Sequence, residues 1–236
     1  MNDTLILLSI VGLAALIHSS FQLGVSMLTL LSGHSLSIKR SQFRIFRLTS
    51  SFIFGSFVMT ILLLSAFTLL LAHLSTTDNF VLIWTVLAGL LIGVGLAVWF
   101  TYYRSEPGTS LWIPRGLASF ISDRTKKTQR SAESFSLGMS SVVGEILFLV
   151  APLAASGYAI ANLPFEWQLL GFVIYAVVSM LSLLIVWALV AFGYKLSRIQ
   201  KWREANKSFL QYSAAAGLII LGAFMYVNEA VGGMIG

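Results

Sequence analysis

The sequence predicts an all-α integral membrane protein with six transmembrane helices, arranged as two inverted three-helix repeats. Three observations support this fold class. The chain is 57% hydrophobic and only 10% charged, whereas a soluble domain carries about 25% charged residues. Its basic residues fall only between long apolar segments, and two pairs of short motifs recur along the chain in the same order.

Six apolar segments divide the chain, and they contain no Asp, Glu, Lys or Arg except Glu145 in the fourth segment. A bilayer span needs about 20 apolar residues, so each segment predicts one transmembrane helix. No basic residue precedes the first segment, and we therefore expect it to be retained as a span and not cleaved as a signal. The segments cover residues 4–38, 48–77, 79–103, 134–165, 167–194 and 208–228.

The basic residues predict the orientation of the chain in the membrane. All 15 Lys and Arg residues lie within 39–47, 104–130 and 195–207, which are alternate connections between the spans. Basic connections remain on the cytoplasmic side, so both termini are expected outside a multi-pass cell-membrane protein. This distribution explains the net charge of +6 by contact with the lipid bilayer, and no nucleic-acid partner is expected.

Two motif pairs indicate an internal duplication. The string FQLGVSML from Phe21 resembles FSLGMSSV from Phe135, and AGLLIGVG from Ala88 resembles AGLIILGA from Ala216. A unit with an odd number of spans enters the membrane from the opposite side when it is repeated, as in many transporters. The predicted organisation is therefore a first three-helix repeat over 1–103, a cytoplasmic linker with an interfacial helix over 104–134, and a second repeat over 135–236.

These features resemble the lysine-exporter superfamily, in which two triplets each begin with a polar, glycine-containing span. The closest local likeness is to the thiol-disulfide electron carriers of cytochrome c biogenesis, through LGVSMLTLLSG (23–33) and LGMSSVVGEILFLVAP (137–152). Those carriers use a cysteine in each leading span. This sequence contains no cysteine, so their redox activity is not implied. The acidic and histidine-rich motifs of the metal exporters in this superfamily are not matched either, and no cofactor is expected.

Polar side chains form a stripe on each leading span. At 100° per residue, His18, Gln22 and Ser26 share one face of span 1, and Ser141 shares a face of span 4 with Glu145. Polar groups within a bilayer face protein or water. These five residues are therefore the predicted binding site for a small solute or cation, and Glu145 is the predicted proton or cation carrier.

Each of these residues also has a purely structural interpretation. Glu145 or His18 would then hydrogen-bond a neighbouring helix, and Gln22, Ser26 and Ser141 would be polar packing groups. A hydrated cavity that reaches Glu145 would support a transport site, whereas a sealed core with Glu145 bonded to a neighbour, together with a stable partner protein, would support a non-transporting subunit. Span 1 is longer than a bilayer requires, so we expect it either to project from the bilayer or to break near Gly24 or at 32–35. Span 4 can kink at Pro152, and broken leading helices would expose backbone groups to a substrate.

The leading functional prediction is a small secondary transporter or exporter of a small solute or cation. The alternative is a non-transporting subunit or assembly factor of a larger membrane complex, and the sequence is compatible with homo- or hetero-oligomers. An enzyme is not expected, because the sequence has no H-E-x-x-H motif, no His-Asp-Ser set and no cluster of acidic residues that could bind a metal.

The predicted orientation is testable with single cysteines, since the chain has none of its own. Cysteines replacing Asn2, Ser75, Asn162 and Gly236 are expected to react with an impermeant thiol reagent on intact cells. A cysteine replacing Lys126 is expected to react only after the cells are permeabilised. Labelling of intact cells at position 126 but not at 162 would reverse the orientation.

Overall fold

The structure is a computed structural model that describes residues 2–21, 24–29, 31, 42–75, 79–101, 123–124, 128, 130–192 and 196–231. Of these residues 94% are helical and none forms a strand. The helices are α1 (Asn2–Ser20), α2 (Gln42–Leu74), α3 (Phe80–Thr101), α4 (Ser131–Gly144), α5 (Ile146–Ala161), α6 (Phe165–Ser179), α7 (Leu181–Ala191), α8 (Leu196–Ala205) and α9 (Lys207–Met225), and α9 continues as a π-helix over Tyr226–Val231. Residues 24–29 form a further short helical segment.

Four helices are long and apolar enough to cross a bilayer, and the number rises to six if each of two bent pairs forms one span. The bent pairs are α4 with α5, at 81°, and α6 with α7, at 48°. Large apolar side chains also cover the outer surface, for example Phe54, Leu69 and Phe100. Soluble monomers rarely expose apolar patches of this extent, so these features indicate a protein embedded in a membrane.

The position of the break in the fourth span differs from the prediction. It was expected as one helix kinked at Pro152, but Pro152 lies inside the continuous helix α5 and the break falls at Glu145. Gly144 precedes the break, and a glycine destabilises a helix interior by about 1 kcal/mol relative to alanine. The fifth span is likewise interrupted, at Met180.

The first leading span breaks next to Gly24, as predicted. Helix α1 ends at Ser20, and the chain is helical again from residue 24. The hydroxyls of Ser19 and Ser20 donate to the carbonyls of Leu16 and Ile17 at 2.8 and 2.6 Å. These bonds satisfy carbonyls of the last helical turn locally, which helps the helix to end there.

Helix α5 is the centre of the bundle. Residues 151–160 are all buried, and the helix contacts α1, α2, α3 and α6. Its many small residues allow neighbouring helices to come close. A Cβ atom on Gly157, for example, would lie 2.9 Å from the backbone nitrogen of Thr68 in α2.

Helices α2 and α4 approach even more closely, at two glycines. A Cβ atom on Gly138 would overlap the carbonyl oxygen of Phe52, and one on Gly55 would overlap the carbonyl oxygen of Phe135. A hydrogen bond also joins the same two helices: the Ser134 hydroxyl donates to the Leu48 carbonyl at 2.6 Å. This hydrogen bond holds the beginning of α4 against α2.

Helices α3 and α9 pack through a second glycine pair. Gly95 lies against Ala215 and Leu218 of α9, and Gly222 lies against Ala88 and Leu91 of α3. Gln211 of α9 also donates to the carbonyls of Val98 and Trp99 at 2.8 and 2.7 Å.

The remaining predicted segments are only partly described. The interfacial helix predicted in the 104–134 linker falls mostly on residues outside the described ranges, although residues 131–134 belong to α4. The domain boundaries and the sidedness of the termini remain predictions.

The α2–α4 contact predicts a specific sensitivity to added side-chain volume. Gly138→Ala places a methyl group against backbone atoms that cannot rotate away, and overpacking of this kind costs about 1–3 kcal/mol. We expect a clear loss of thermal stability in detergent for this variant.

Gly89→Ala is the matched control, because no atom of the described residues outside its own helical turn lies within 4 Å of its added Cβ. Alanine is the better helix former by about 1 kcal/mol, so this variant is expected to be as stable as the parent or slightly more stable. Equal melting temperatures for the two variants would contradict the packing at Gly138.

Candidate functional site

A small cavity lies where three helices are interrupted. It is bordered by the end of α1 together with the start of segment 24–29, by the α4–α5 junction at Glu145, and by the α6–α7 junction at Met180. The centre of a water molecule can reach about 20 Å³ of it, and one water needs about 10–15 Å³ by this measure. The lining residues are His18, Ser19, Phe21, Gly24, Val25, Ser141, Val142, Glu145, Ser179, Met180, Ser182 and Leu183.

Glu145 sits in the break itself. Its backbone N–H donates to the Val142 carbonyl at 3.2 Å and so belongs to the end of α4, and its carbonyl accepts from Phe148 and Leu149 at 2.9 and 3.0 Å and so begins α5. The side chain is 7% exposed. Within the described part of the chain, Glu145 is the only buried carboxylate.

His18 lines the same cavity from the last turn of α1. Its side chain is buried, and its Nδ1 atom shares a hydrogen bond of 3.0 Å with the hydroxyl of Tyr175 in α6. The two rings meet edge to face with centroids 5.7 Å apart. His18 therefore borders the cavity and also joins two helices, and its role in binding remains a prediction.

Ser141 lines the cavity and belongs to a hydrogen-bond network between α4 and α2. Its hydroxyl donates to the Gly138 carbonyl at 2.7 Å and lies 3.3 Å from the hydroxyl of Ser56. A Cβ atom on Gly24 would lie 3.6 Å from the same hydroxyl. Gly24 of the first leading span therefore lies beside Ser141 of the second, at a distance that a Cβ atom would tolerate.

Ser26 is not among the residues that line the cavity, and its binding role remains a prediction. Its hydroxyl accepts a hydrogen bond of 2.9 Å from a guanidinium nitrogen of Arg203 in the amphipathic helix α8. Arg203 is buried although its helix carries exposed Trp202 and Lys201. Ser26 thus ties the first span to a connecting helix. Gln22, the remaining predicted site residue, lies outside the described residues.

The sequence prediction missed the contribution of the fifth span. Tyr175, Ser179 and Ser182 all lie at the cavity, directly or through His18. Their spacing of four and three residues places them on one helix face. The signal that could have found them was this polar face within an apolar segment.

The arrangement suits a small cation. The cavity brings together one carboxylate, the hydroxyls of several serines and an imidazole, and oxygen-rich groups of this kind bind hard cations or protonated amines. A buried carboxylate is costly unless a proton, a cation or hydrogen-bonding groups of the protein stabilise it. Three or more His, Asp or Glu side chains do not come together as a metal site in the described ranges.

The contribution of the His18–Tyr175 hydrogen bond to thermal stability can be measured with a single and a double variant. Tyr175→Phe leaves a buried histidine nitrogen without this partner, which costs about 1–3 kcal/mol, so its melting temperature is expected to fall. Replacing both partners, as His18→Leu with Tyr175→Phe, is expected to recover part of the loss. Tyr212→Phe, at an exposed tyrosine, is the control and should change stability by less than about 0.5 kcal/mol.

Comparison of the chain with known protein families, with curated proteins and with solved structures finds no match. The function is therefore inferred from the geometry of the cavity and of the helices around it.

Proposed function

We propose that the protein is a small secondary transporter of a small solute or cation, with the cavity at Glu145 as its central site. The observation that carries the proposal is the convergence of three interrupted helices on the one buried carboxylate among the described residues. Helix interruptions in transporters expose backbone carbonyl and N–H groups to the substrate. A bundle that served only as a scaffold would gain nothing from three such breaks at one point.

The pattern of helix contacts supports an inverted repeat. For this comparison α4 and α5 together are span 4, and α6 and α7 together are span 5. Exchanging the triplets turns the contact of span 1 with span 6 (α1–α9) into that of span 4 with span 3 (α5–α3), and both are present. The contacts of span 1 with span 5 and of span 4 with span 2 correspond in the same way, and span 3 contacts span 6 as span 1 contacts span 4. The correspondence holds for whole spans only, because aligning Phe21 with Phe135 places α1 before α4 and not on α5.

The glycine contacts between α3 and α9 support the same symmetry at the level of residues. Adding 127 to Ala88, Leu91, Ile92 and Gly95 gives Ala215, Leu218, Ile219 and Gly222. Gly95 packs against the α9 members of this set, and Gly222 packs against the α3 members. This register differs by one residue from the alignment of AGLLIGVG at Ala88 with AGLIILGA at Ala216, in which Gly89 is paired with Gly217. The added Cβ of Gly217 would meet Ile17, whereas that of Gly89 meets no described side chain, so the structure does not place these two glycines equivalently.

The structure resembles the occluded state of an alternating-access cycle, because the cavity holds space for about one water molecule. In the proposed cycle, one triplet rocks against the other and opens the site to each side in turn. Glu145 would be charged in an open, hydrated state and neutralised by a proton or a bound cation when the site closes. The protonation or loading of Glu145 would then be coupled to transport.

Membership of the lysine-exporter superfamily is part of this proposal, on the basis of the motifs in the leading spans and of the inverted contact pattern. Both leading spans are interrupted, and each carries a glycine that faces the second span of the other triplet. Gly138 lies against Phe52 of α2, and Gly24 lies against Leu183 of α7. Orientation with both termini outside completes the proposal.

The proposal predicts the behaviour of Glu145→Gln, which keeps the size and hydrogen-bonding capacity of the side chain but cannot titrate. In proteoliposomes, the parent is expected to transport at least one member of a panel of amino acids, amines and monovalent cations in a pH-dependent way. The variant is expected to keep its melting temperature and to lose the pH-dependent flux. Glu166→Gln, at an exposed carboxylate in the first turn of α6, serves as the control and should transport like the parent.

Normal pH-dependent transport by Glu145→Gln would show that Glu145 is only a structural residue. Absence of flux by the parent over the whole panel, together with stable co-purification of another membrane protein, would instead favour a non-transporting subunit.

A further inference from the structure

An apolar groove lies on the outer surface between α2 and the α6–α7 pair. It has a volume of about 320 Å³, and its walls include Phe54 and Phe57 of α2 and Val177, Leu184 and Trp187 of the opposite pair. Among the residues that form it, none is charged. The α2 side runs from Ser50 to Phe57, which corresponds to about 10 Å along the helix.

Met180 separates this groove from the central cavity, because it belongs to the walls of both. Its side chain is almost fully buried. It stands at the α6–α7 break, where its N–H donates to Val177 at 3.3 Å and its carbonyl accepts from Leu184 at 2.9 Å. An unbranched methionine side chain has three rotatable bonds and repacks easily, so we infer that this wall opens by rotation of the Met180 side chain.

The other walls of the cavity are held by hydrogen bonds between helices. His18 bonds Tyr175 across α1 and α6, and Ser141 bonds Ser56 across α4 and α2. Opening the site at either place breaks buried polar contacts, which is costly. Opening it at Met180 exchanges one apolar contact for another.

The groove also lies toward one leaflet. Its α2 wall begins eight residues after Gln42, at the end of α2 that follows the basic segment 39–47. With basic connections on the cytoplasmic side, the groove faces the cytoplasmic leaflet of the bilayer.

We propose that the central site receives its ligand sideways from this leaflet, through the groove and past Met180, and that the ligand is an amphipathic amine. Its ammonium group pairs with Glu145, and its hydrocarbon part occupies the groove. The carboxylate selects the positive charge, and a groove without charged residues selects the apolar body. This inference rests on the proposed role of the cavity as a binding site, but it does not require that flux be observed.

The lateral path is testable by labelling a cysteine in the cavity, since the parent chain is free of cysteine. In Ser182→Cys, octyl methanethiosulfonate is expected to react at least tenfold faster than the water-soluble 2-(trimethylammonium)ethyl methanethiosulfonate. Adding Val177→Trp, which fills the groove, is expected to remove that advantage. Val173→Trp is the matched control, one turn away on the exposed face of α6 and outside the groove, and should leave the rates unchanged.

The ligand class is tested by protection of the same cysteine. Octylammonium is expected to slow the labelling of Ser182→Cys, whereas octanol and methylammonium at equal concentration are not. Adding Glu145→Gln is expected to raise the octylammonium concentration needed for protection at least tenfold. Melting temperatures confirm that each variant is folded, and Leu184→Trp replaces Val177→Trp if the latter is not.

Each contrary result has a distinct meaning. Equal or faster reaction with the water-soluble reagent, or no reaction with either reagent, would overturn the lateral path. Protection by methylammonium as effective as that by octylammonium, or protection that survives Glu145→Gln, would overturn the amphipathic ligand. In both cases the proteoliposome assay on Glu145→Gln would still decide whether the protein is a transporter.

Discussion

A carboxylate inside an apolar bundle requires polar groups around it, and helices that run without interruption cannot supply them from their backbones. Glu145 meets this requirement by standing in a break of its own helix, opposite the end of α1 and the α6–α7 junction. At each break some backbone N–H and C=O groups lose their regular helical partners. Serine hydroxyls donate hydrogen bonds to several of the carbonyls near these breaks. The positions of the helix ends, the bends of 81° and 48° and the cavity all follow from this arrangement.

The breaks are tolerated because the surrounding helices pack very closely. In a bilayer, helices gain little from excluding water from one another, so association depends on close van der Waals contact and on hydrogen bonds. Gly55 and Gly138 provide such contact between α2 and α4, and Gly95 and Gly222 provide it between α3 and α9. The tightly packed pairs hold the bundle together, while the interrupted helices between them carry the polar site.

Much of this organisation could be predicted from the sequence. Long uncharged segments and the polar stripe through His18, Ser141 and Glu145 depend on composition and helical period, which a sequence records directly. The exact position of the break in span 4 could not be predicted, because Pro152 is the stronger local signal and the helix accommodates it. Tyr175 was missed because its role comes from a contact with His18, 157 positions away in the chain. The contact of Ser26 with Arg203 was not predicted, because Arg203 comes from a segment whose alternating basic and apolar residues are typical of an interfacial helix.

The Arg203–Ser26 hydrogen bond couples the position of the first span to that of helix α8. A guanidinium keeps its charge at any physiological pH, so Arg203 cannot be released from its buried position by losing a proton. If segment 24–29 shifts, α8 must shift with it or give up that bond. Helix α8 precedes α9 in the chain with only Asn206 between them, and α9 packs tightly against α3. A displacement of the first span relative to the last therefore has to break this bond or bend the chain between α8 and α9.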